Sequence, residues 1–482
     1  VIGLCLLALL FAWWLRSPLH HLPLERDEGS YALIATRWLA GAVPYRDLFD
    51  HKPPLIYLVY ALARLVPSDP VGAIRIVATL YLLASGLALL ALGWRLYGRW
   101  AALAALMLFL VYGSSQRFEG LAFNSEAVML LPATLSCLLL VLGVQMRHAG
   151  LLGLAGICVG LTTLAKPVGA GLLLPLCLGP LLLAWPLRRR LAALALGLAG
   201  ALLPLLLSTL YFWWQRALPA AYEALIIYNR IYAAESLSFG WNPLWLWRIW
   251  QPMLPLVLPG LVGLVVTLRD PSATPAHTIT AAWGLTLLAT ALLSLRDFPH
   301  YYLAAVPAFS LWAGALISTI VSRAPWRIAQ RSLAAPLGLM LLAGLLAPAM
   351  LALWPLRSMS PQQQIQTLYA DEGVAHFWPA VAVAGYIAAH VPPGQPIFIW
   401  ATEPQIYYLA DRRPAVRFPY DYPIDRLPGA RDEVLAELRR APPPFIVTYR
   451  DVRPIGFYPF ADDYGYRLAT RIGGFDLFQR GG

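Results

Sequence analysis

Eleven apolar runs, near 1–15, 71–93, 100–113, 126–146, 149–165, 167–186, 191–214, 252–268, 278–295, 301–322 and 332–354, leave this chain few ways to fold. Stretches such as Ala127 to Met146 approach the roughly 20 apolar residues with which a helix crosses a bilayer. Only 13% of residues are charged and 59% are hydrophobic, against roughly a quarter charged in a soluble domain. A soluble fold cannot bury that much apolar surface. The expectation is an all-α polytopic membrane protein with about eleven transmembrane helices. That excludes a cytosolic enzyme, a secreted disulfide scaffold and a disordered chain. A net charge of +11 raises the question of nucleic acid, but the basic residues are dispersed between apolar spans, so no nucleic-acid partner is expected.

With the 17–70 loop placed outside, Arg95, Arg99, Arg147, Arg188 to Arg190, Arg269, Arg323, Arg327 and Arg331 all fall in internal connections, as the positive-inside rule requires. The chain opens in an apolar run without an initiator Met, which predicts preceding cytoplasmic residues and an uncleaved first helix. Cys5, Cys137, Cys158 and Cys177 lie inside apolar runs and read as small core residues. An odd number of spans delivers the tail to the external side. Charged residues and prolines return there, with strand-like Pro396 to Trp400 and Phe445 to Tyr449 and helix-like Pro379 to His390 and Arg431 to Arg440. The expected organisation is a membrane domain over 1–355 and a small extracytoplasmic α/β domain over 356–482. The segment from Arg216 to Trp250, too polar to span and rich in Trp and Tyr, suits an interfacial element.

The first external loop concentrates the reactive side chains. It reads Glu25-Arg26-Asp27-Glu28-Gly29-Ser30-Tyr31 and later Phe49-Asp50-His51-Lys52-Pro53-Pro54-Leu55. The local alternative is that Asp27 caps a helix beginning at Glu28 and that the prolines start the next one. Lysine usage argues for more. Of 36 basic side chains, only Lys52 and Lys166 are lysines, each before a proline and each mapping to the external face. A compact ammonium at such a point suits a phosphate; snorkelling at the interface is the alternative. Three further places face the same side. Glu126, in Asn124-Ser125-Glu126, is a helix N-terminal charge or a ligand. His300, in the run Arg296 to Tyr302, binds metal or phosphate, or caps. Arg230, after the aromatic run Tyr222 to Tyr228, contacts an anion or anchors a lipid headgroup.

The Asp27-Glu28 pair after a first transmembrane helix, the Phe49 to Leu55 run and the Arg296 to Tyr302 turn together resemble the bacterial GT-C glycosyltransferases. The likeness is to the protein-mannosyltransferase and aminoarabinose-transferase branch, families 39 and 83, and covers roughly the first 320 residues. The resemblance implies a multi-span enzyme of a bacterial-type plasma (inner) membrane that moves a sugar from a polyprenyl-phosphate donor to a protein, lipid or glycan acceptor at the external face. Asp27, with Glu28 beside it, matches the catalytic acid of that family, and Lys52 matches the lysine on the lipid phosphate; Arg296, Arg230 and Lys166 are further phosphate candidates. Where aminoarabinose transferases place a metal-binding Glu before the lysine, this chain has His51, and Asn229 stands where they tend to have His. No cofactor is certain on this reading. A divalent metal ion is a candidate, with Asp50, His51, Glu126 and His300 as supporting or ligating groups.

Chemistry agrees with that expectation. Cleaving a sugar–phosphate bond needs charge stabilisation at the leaving phosphate, which Lys52 with Arg296 or Arg230 can supply, and a base within reach of the acceptor hydroxyl, which Asp27 can be. Direct displacement by one base inverts the anomeric centre. A transporter or flippase of lipid-linked sugar would instead show ionisable groups near the bilayer midplane, and a non-catalytic scaffold would make the first-loop acids dispensable. Trp241, Trp245 and Trp247 suit sugar stacking or the interface.

Overall fold

The computed structural model describes residues 2–239, 247–248, 250–293, 298–323, 334–369, 374–450 and 456–481. Within them, all eleven apolar runs are helical over most of their length. Their Leu- and Ala-rich composition favours helix, and a membrane requires it, because every backbone amide must be satisfied inside its own segment. Among the described residues, seven stretches are long and apolar enough to cross a membrane: Ile2–Leu19, Pro70–Tyr97, Ser125–Gln145, Leu187–Trp214, Gln251–Arg269, Pro299–Ser322 and Ala334–Ser358. The other runs fall short in length or hydropathy.

The chain divides into two compact units, one of Val1–His20, Ile74–Ser208 and Ser236–Ser358, the other of His21–Ala73, Thr209–Glu235 and Met359–Gly482. The first unit is helical. Its Ala149–Ala165 and Leu187–Trp214 helices meet through small residues. A Cβ built on Gly156 would fall 2.0 Å from the Gly197 carbonyl oxygen, and one on Gly200 2.1 Å from that of Gly153. Backbones this close need small side chains on both sides, the usual device for packing helices that lipid cannot drive together. At the end of the Ile2–Arg16 helix, the buried Arg16 guanidinium donates to Thr79 Oγ1 at 3.1 Å and to the Gly120 carbonyl at 2.8 Å. A buried cation is tolerated when protein acceptors replace its water. Cys5, Cys137 and Cys158 are buried as expected, and Cys177 is half-buried.

The second unit holds a five-stranded sheet in the order β2-β1-β3-β5-β4. Its strands are β1 Pro396–Trp400, β2 Arg413–Pro414, β3 Phe445–Tyr449, β4 Tyr466–Ile472 and β5 Phe475–Arg480. β1 pairs parallel with β2 and β3, while β5 pairs antiparallel with β3 and β4. Uninterrupted apolar runs in β1 and β3 fit strands buried on both faces. Both were legible in the sequence, as were the Val374–His390 and Ala430–Arg440 helices. The segment after Arg216 is helical too: Leu218–Tyr222, a wide turn over Glu223–Tyr228, then Asn229–Phe239; residues 240–246 and 249 lie outside the described set.

The same unit contains the Arg26–Leu39 and Leu55–Ala61 helices of the first loop. The former packs on the Gln405–Ala410 helix at Gly29, where a Cβ would stand 2.3 Å from Gln405 Cβ and 2.5 Å from its Cα. No rotamer change relieves a clash with backbone. A Gly29→Ala substitution is therefore expected to destabilise the protein by about 1–3 kcal/mol, as overpacking does, and to lower the thermal unfolding midpoint in lipid nanodiscs. An unchanged midpoint would show that these two helices do not meet at Gly29.

Candidate active site

Geometry begins at the first turn of the Arg26–Leu39 helix. The cap expected of Asp27 is supplied two residues earlier, by Glu25. Its carboxylate accepts from the Asp27 and Glu28 amides, each at 3.1 Å, and Glu28 Oε2 accepts in return from the Glu25 amide at 3.1 Å. This reciprocal box satisfies three main-chain donors. It also separates the two acids: Glu28 is fully buried within the cap, whereas Asp27 is half-buried. Among the described residues, Tyr31 is the side chain that donates to the Asp27 carboxylate, to Oδ2 at 3.3 Å. Asp27 thus has an oxygen to offer.

Residues 43–54 form a tight, over-determined loop. Tyr45 adopts φ 70°, uncommon for a bulky side chain, and is held there by its amide donating to the Leu48 carbonyl at 2.7 Å and by complete burial. Its phenol donates to the Lys52 carbonyl at 2.8 Å, and the Tyr57 phenol donates to the same oxygen at 3.1 Å. The preceding carbonyl, of His51, accepts from Asn229 Nδ2 at 2.9 Å. One residue earlier, the buried Asp50 carboxylate accepts from the His51 amide at 2.6 Å, the Tyr420 phenol at 3.1 Å and the Ser30 hydroxyl at 3.2 Å. Three consecutive residues are thereby gripped from the Arg26–Leu39 helix, the Leu55–Ala61 helix, the Asn229–Phe239 helix and the tail. Pro54 then caps the Leu55–Ala61 helix, as the Pro-Pro pair suggested.

Burial alone would raise the Asp50 carboxyl, but hydrogen bonding to His51 and the charge of Lys52 outweigh it and hold the group below the ordinary carboxylate range. The His51 imidazole is pushed below its ordinary value, first by burial and then by Lys52, against the opposing pull of Asp50 and Asp27. At neutral pH the loop therefore presents a carboxylate, a neutral imidazole and an ammonium in succession. The Asp27 and Lys52 charges both reach His51. Arg230, in the same unit, is exposed.

Other candidates belong to the first unit. Lys166 is ion-paired with Glu126, its ammonium 3.3 Å from the centroid of the Tyr301 ring, and Ser125 donates to Glu126 Oε2 at 2.9 Å. His300 Nδ1 bonds Glu119. Glu126 and His300 thus have partners of their own, and Arg296 lies outside the described residues. Among the described residues no group of three His, Cys, Asp or Glu side chains is arranged to hold a metal ion. The described residues do not make a metal site.

A family model described as dolichyl-phosphate-mannose-protein mannosyltransferase matches residues 51–214, beginning within the loop just described. The structure is similar over 99% of the chain to that of ArnT from Cupriavidus metallidurans bound to undecaprenyl phosphate, with 97% of that chain covered, 16% identity and a TM-score of 0.61. It has the GT-C glycosyltransferase fold. The apo form of the same ArnT gives a TM-score of 0.64 at 14% identity, with 99% of this chain and 97% of that one covered. The oligosaccharyltransferase AglB from Archaeoglobus fulgidus, in complex with an inhibitory peptide and a dolichol-phosphate, gives 0.54 at 12% identity, covering 100% of this chain and 74% of that one. No curated protein matches. The resemblance read in the first-loop motifs, to the protein-mannosyltransferase and aminoarabinose-transferase branch, is thus the one the fold bears out.

Within this GT-C chain, sequence reading missed Tyr45, Tyr57 and Tyr420, and no local signal marks a tyrosine as a backbone clamp. The position of Asn229 was noticed, but not its role in holding the loop. The electrostatics make a pH prediction. Because folding depresses the His51 pKa, the unfolded chain takes up its proton first. Stability from this residue is complete above about pH 6.5 and is lost as pH falls through the lower folded value. Asp50, depressed from the carboxylate range, loses its contribution only below about pH 4. Between pH 7.5 and 5.5, therefore, the unfolding midpoint of the wild type should fall more than that of His51→Gln, as differential scanning fluorimetry in nanodiscs can measure. Parallel pH profiles would contradict the placement of His51.

Proposed function

We propose that this chain is an integral-membrane glycosyltransferase that moves a sugar from a polyprenyl-phosphate-linked donor to an acceptor on the extracytoplasmic face. The observation that carries the reading is the loop of residues 50–52: a backbone held from four segments carries Lys52, half-buried, with the partly unengaged Asp27 carboxylate close enough for both charges to act on His51. Lys52 is assigned to the lipid phosphate. A preorganised ammonium stabilises the charge that grows on the leaving phosphate without having to reorganise. Asp27 is assigned as the base that receives the proton of the acceptor hydroxyl as the new glycosidic bond forms and the sugar–phosphate bond breaks. One base on one face corresponds to inversion at the anomeric carbon. Glu28 supports Asp27 through the helix cap.

Two facts support a polyprenyl donor. ArnT of C. metallidurans is seen bound to undecaprenyl phosphate and AglB of A. fulgidus with a dolichol-phosphate, and the apolar spans of this chain can receive such a prenyl tail in lipid. The distribution of Arg among the connections supports an orientation with the first loop and the tail outside a bacterial-type inner membrane. Lys166 is ion-paired with Glu126.

Two substitutions test these roles separately. Lys52→Ala should weaken binding of undecaprenyl phosphate to the purified protein in nanodiscs by about 10- to 100-fold, the worth of a charge-assisted hydrogen bond. Unchanged affinity would remove Lys52 from the phosphate site. Asp27→Asn should bind the lipid normally yet slow transfer from a panel of radiolabelled polyprenyl-phosphate sugars by about 10²- to 10⁴-fold; full transfer by a folded variant would sink the assignment of the base.

A further inference from the structure

The tail does more than adjoin the 49–52 loop; it supplies one of the groups that define it. The Phe49 amide donates to the Arg417 carbonyl at 2.6 Å, and the Phe49 and Phe418 rings lie 5.3 Å apart. The Arg417 guanidinium bridges Glu223 at 2.7 Å and Glu433 at 2.5 Å. Tyr420, two residues further on, is buried. Its hydroxyl donates to Asp50 Oδ1 at 3.1 Å and lies 3.4 Å from His51 Nδ1, which is itself 3.3 Å from Asp50 Oδ1.

These distances decide which imidazole nitrogen carries the proton. An ionised carboxylate only accepts. The single hydroxyl proton of Tyr420 is already committed to Asp50, so what the phenol turns toward His51 is an oxygen lone pair. Both neighbours of Nδ1 are acceptors, and Nδ1 must be the donor. A neutral imidazole has one N–H, which leaves Nε2 as a bare lone pair. The rings of Tyr228 and Tyr232 flank the imidazole, with centroids at 5.2 and 5.6 Å, and His51 retains 16% side-chain exposure. Among the described residues no hydrogen-bond partner meets Nε2.

We propose that Tyr420 is a positioning residue: together with Asp50 it fixes His51 as the Nδ1–H tautomer, and so presents the Nε2 lone pair, one residue from Lys52, to a hydroxyl of the substrate. The inference rests on the reading of Lys52 as the phosphate contact and adds the neighbouring contact. An imidazole lone pair repels phosphate oxygens and accepts from hydroxyls, while an ammonium does the reverse. The two side chains thus distinguish the sugar end from the phosphate end of a bound sugar phosphate or orient an incoming hydroxyl beside it. A cation is the poorer occupant, because Asp50 already accepts three hydrogen bonds. On this account the tail is part of the site.

The test is histidine-labelled NMR of the full chain in nanodiscs, with the His51 signal assigned by its loss in His51→Gln. The wild type should show the Nδ1–H tautomer, and Tyr420→Phe, which keeps the ring but removes one of the two acceptors at Nδ1, should weaken that preference. An Nε2–H tautomer in the wild type overturns the proposal whatever the activity. In transfer assays Tyr420→Phe and His51→Gln should each slow turnover about tenfold, equivalent to ~1.4 kcal/mol, while undecaprenyl phosphate without sugar binds as to the wild type. A raised KM for donor places the hydroxyl on the donor sugar, a raised KM for acceptor on the acceptor, and either supports the proposal. Equal loss of undecaprenyl phosphate binding in Tyr420→Phe overturns it, since the phenol would then merely hold the loop, and so does a stoichiometric shift of the His51 signal by Zn²⁺. Failure of the wild type to bind undecaprenyl phosphate defeats the Lys52 reading instead and leaves the tautomer measurement standing.

Discussion

A carboxylate withdrawn from water costs several kcal/mol unless donors replace its hydration, and the buried Asp50 imposes that condition on everything around it. Three donors meet it: a main-chain amide one residue away, a hydroxyl on the Arg26–Leu39 helix and a phenol from the tail. Satisfying one charge therefore ties together segments hundreds of residues apart in sequence. The next two carbonyls are held by an amide and two phenols, so the backbone that carries His51 and Lys52 has little freedom left. Main-chain freedom at Lys52 is thus removed before any ligand arrives, which lowers the ordering cost of a contact made there.

The helix cap does comparable work on the other acid. By taking the Asp27 and Glu28 amides, Glu25 relieves Asp27 of the capping duty that its position suggests. Two adjacent carboxylates thereby acquire different surroundings, one enclosed in the cap and one with an oxygen unengaged. Environment, not residue type, sets the two carboxylates apart.

What was legible in the sequence follows the range of the interaction involved. Apolar runs became helices because a spanning backbone has no other way to satisfy its amides. The strands β1 and β3 could be read from short β-branched and aromatic runs between turn residues. The Phe49 to Leu55 motif stood out because chemistry-bearing residues are sparse in so apolar a chain, and the two lysines stood out among so many arginines for the same reason. Tyr420 was invisible: its partner is 370 positions away, and no periodicity encodes a contact of that kind. The alternative in which Asp27 caps the helix differs from the observed cap at Glu25 by two residues, because Glu25, Asp27 and Glu28 are all acidic and only the path of the chain decides which of them faces the free amides. Glu126 and Lys166 were both singled out but not as partners of each other, and His300 was singled out without Glu119; each pairing is long-range.

The account turns on where the phosphate goes, and the most direct measurement is a cryo-EM structure of the protein in nanodiscs with undecaprenyl phosphate bound. The prediction is a phosphate oxygen at about 2.7–2.9 Å from Lys52 Nζ, the span of a charge-assisted hydrogen bond, with the 50–52 backbone unmoved. A phosphate bound with no contact to Lys52, or a loop that must rearrange to reach it, would contradict the account.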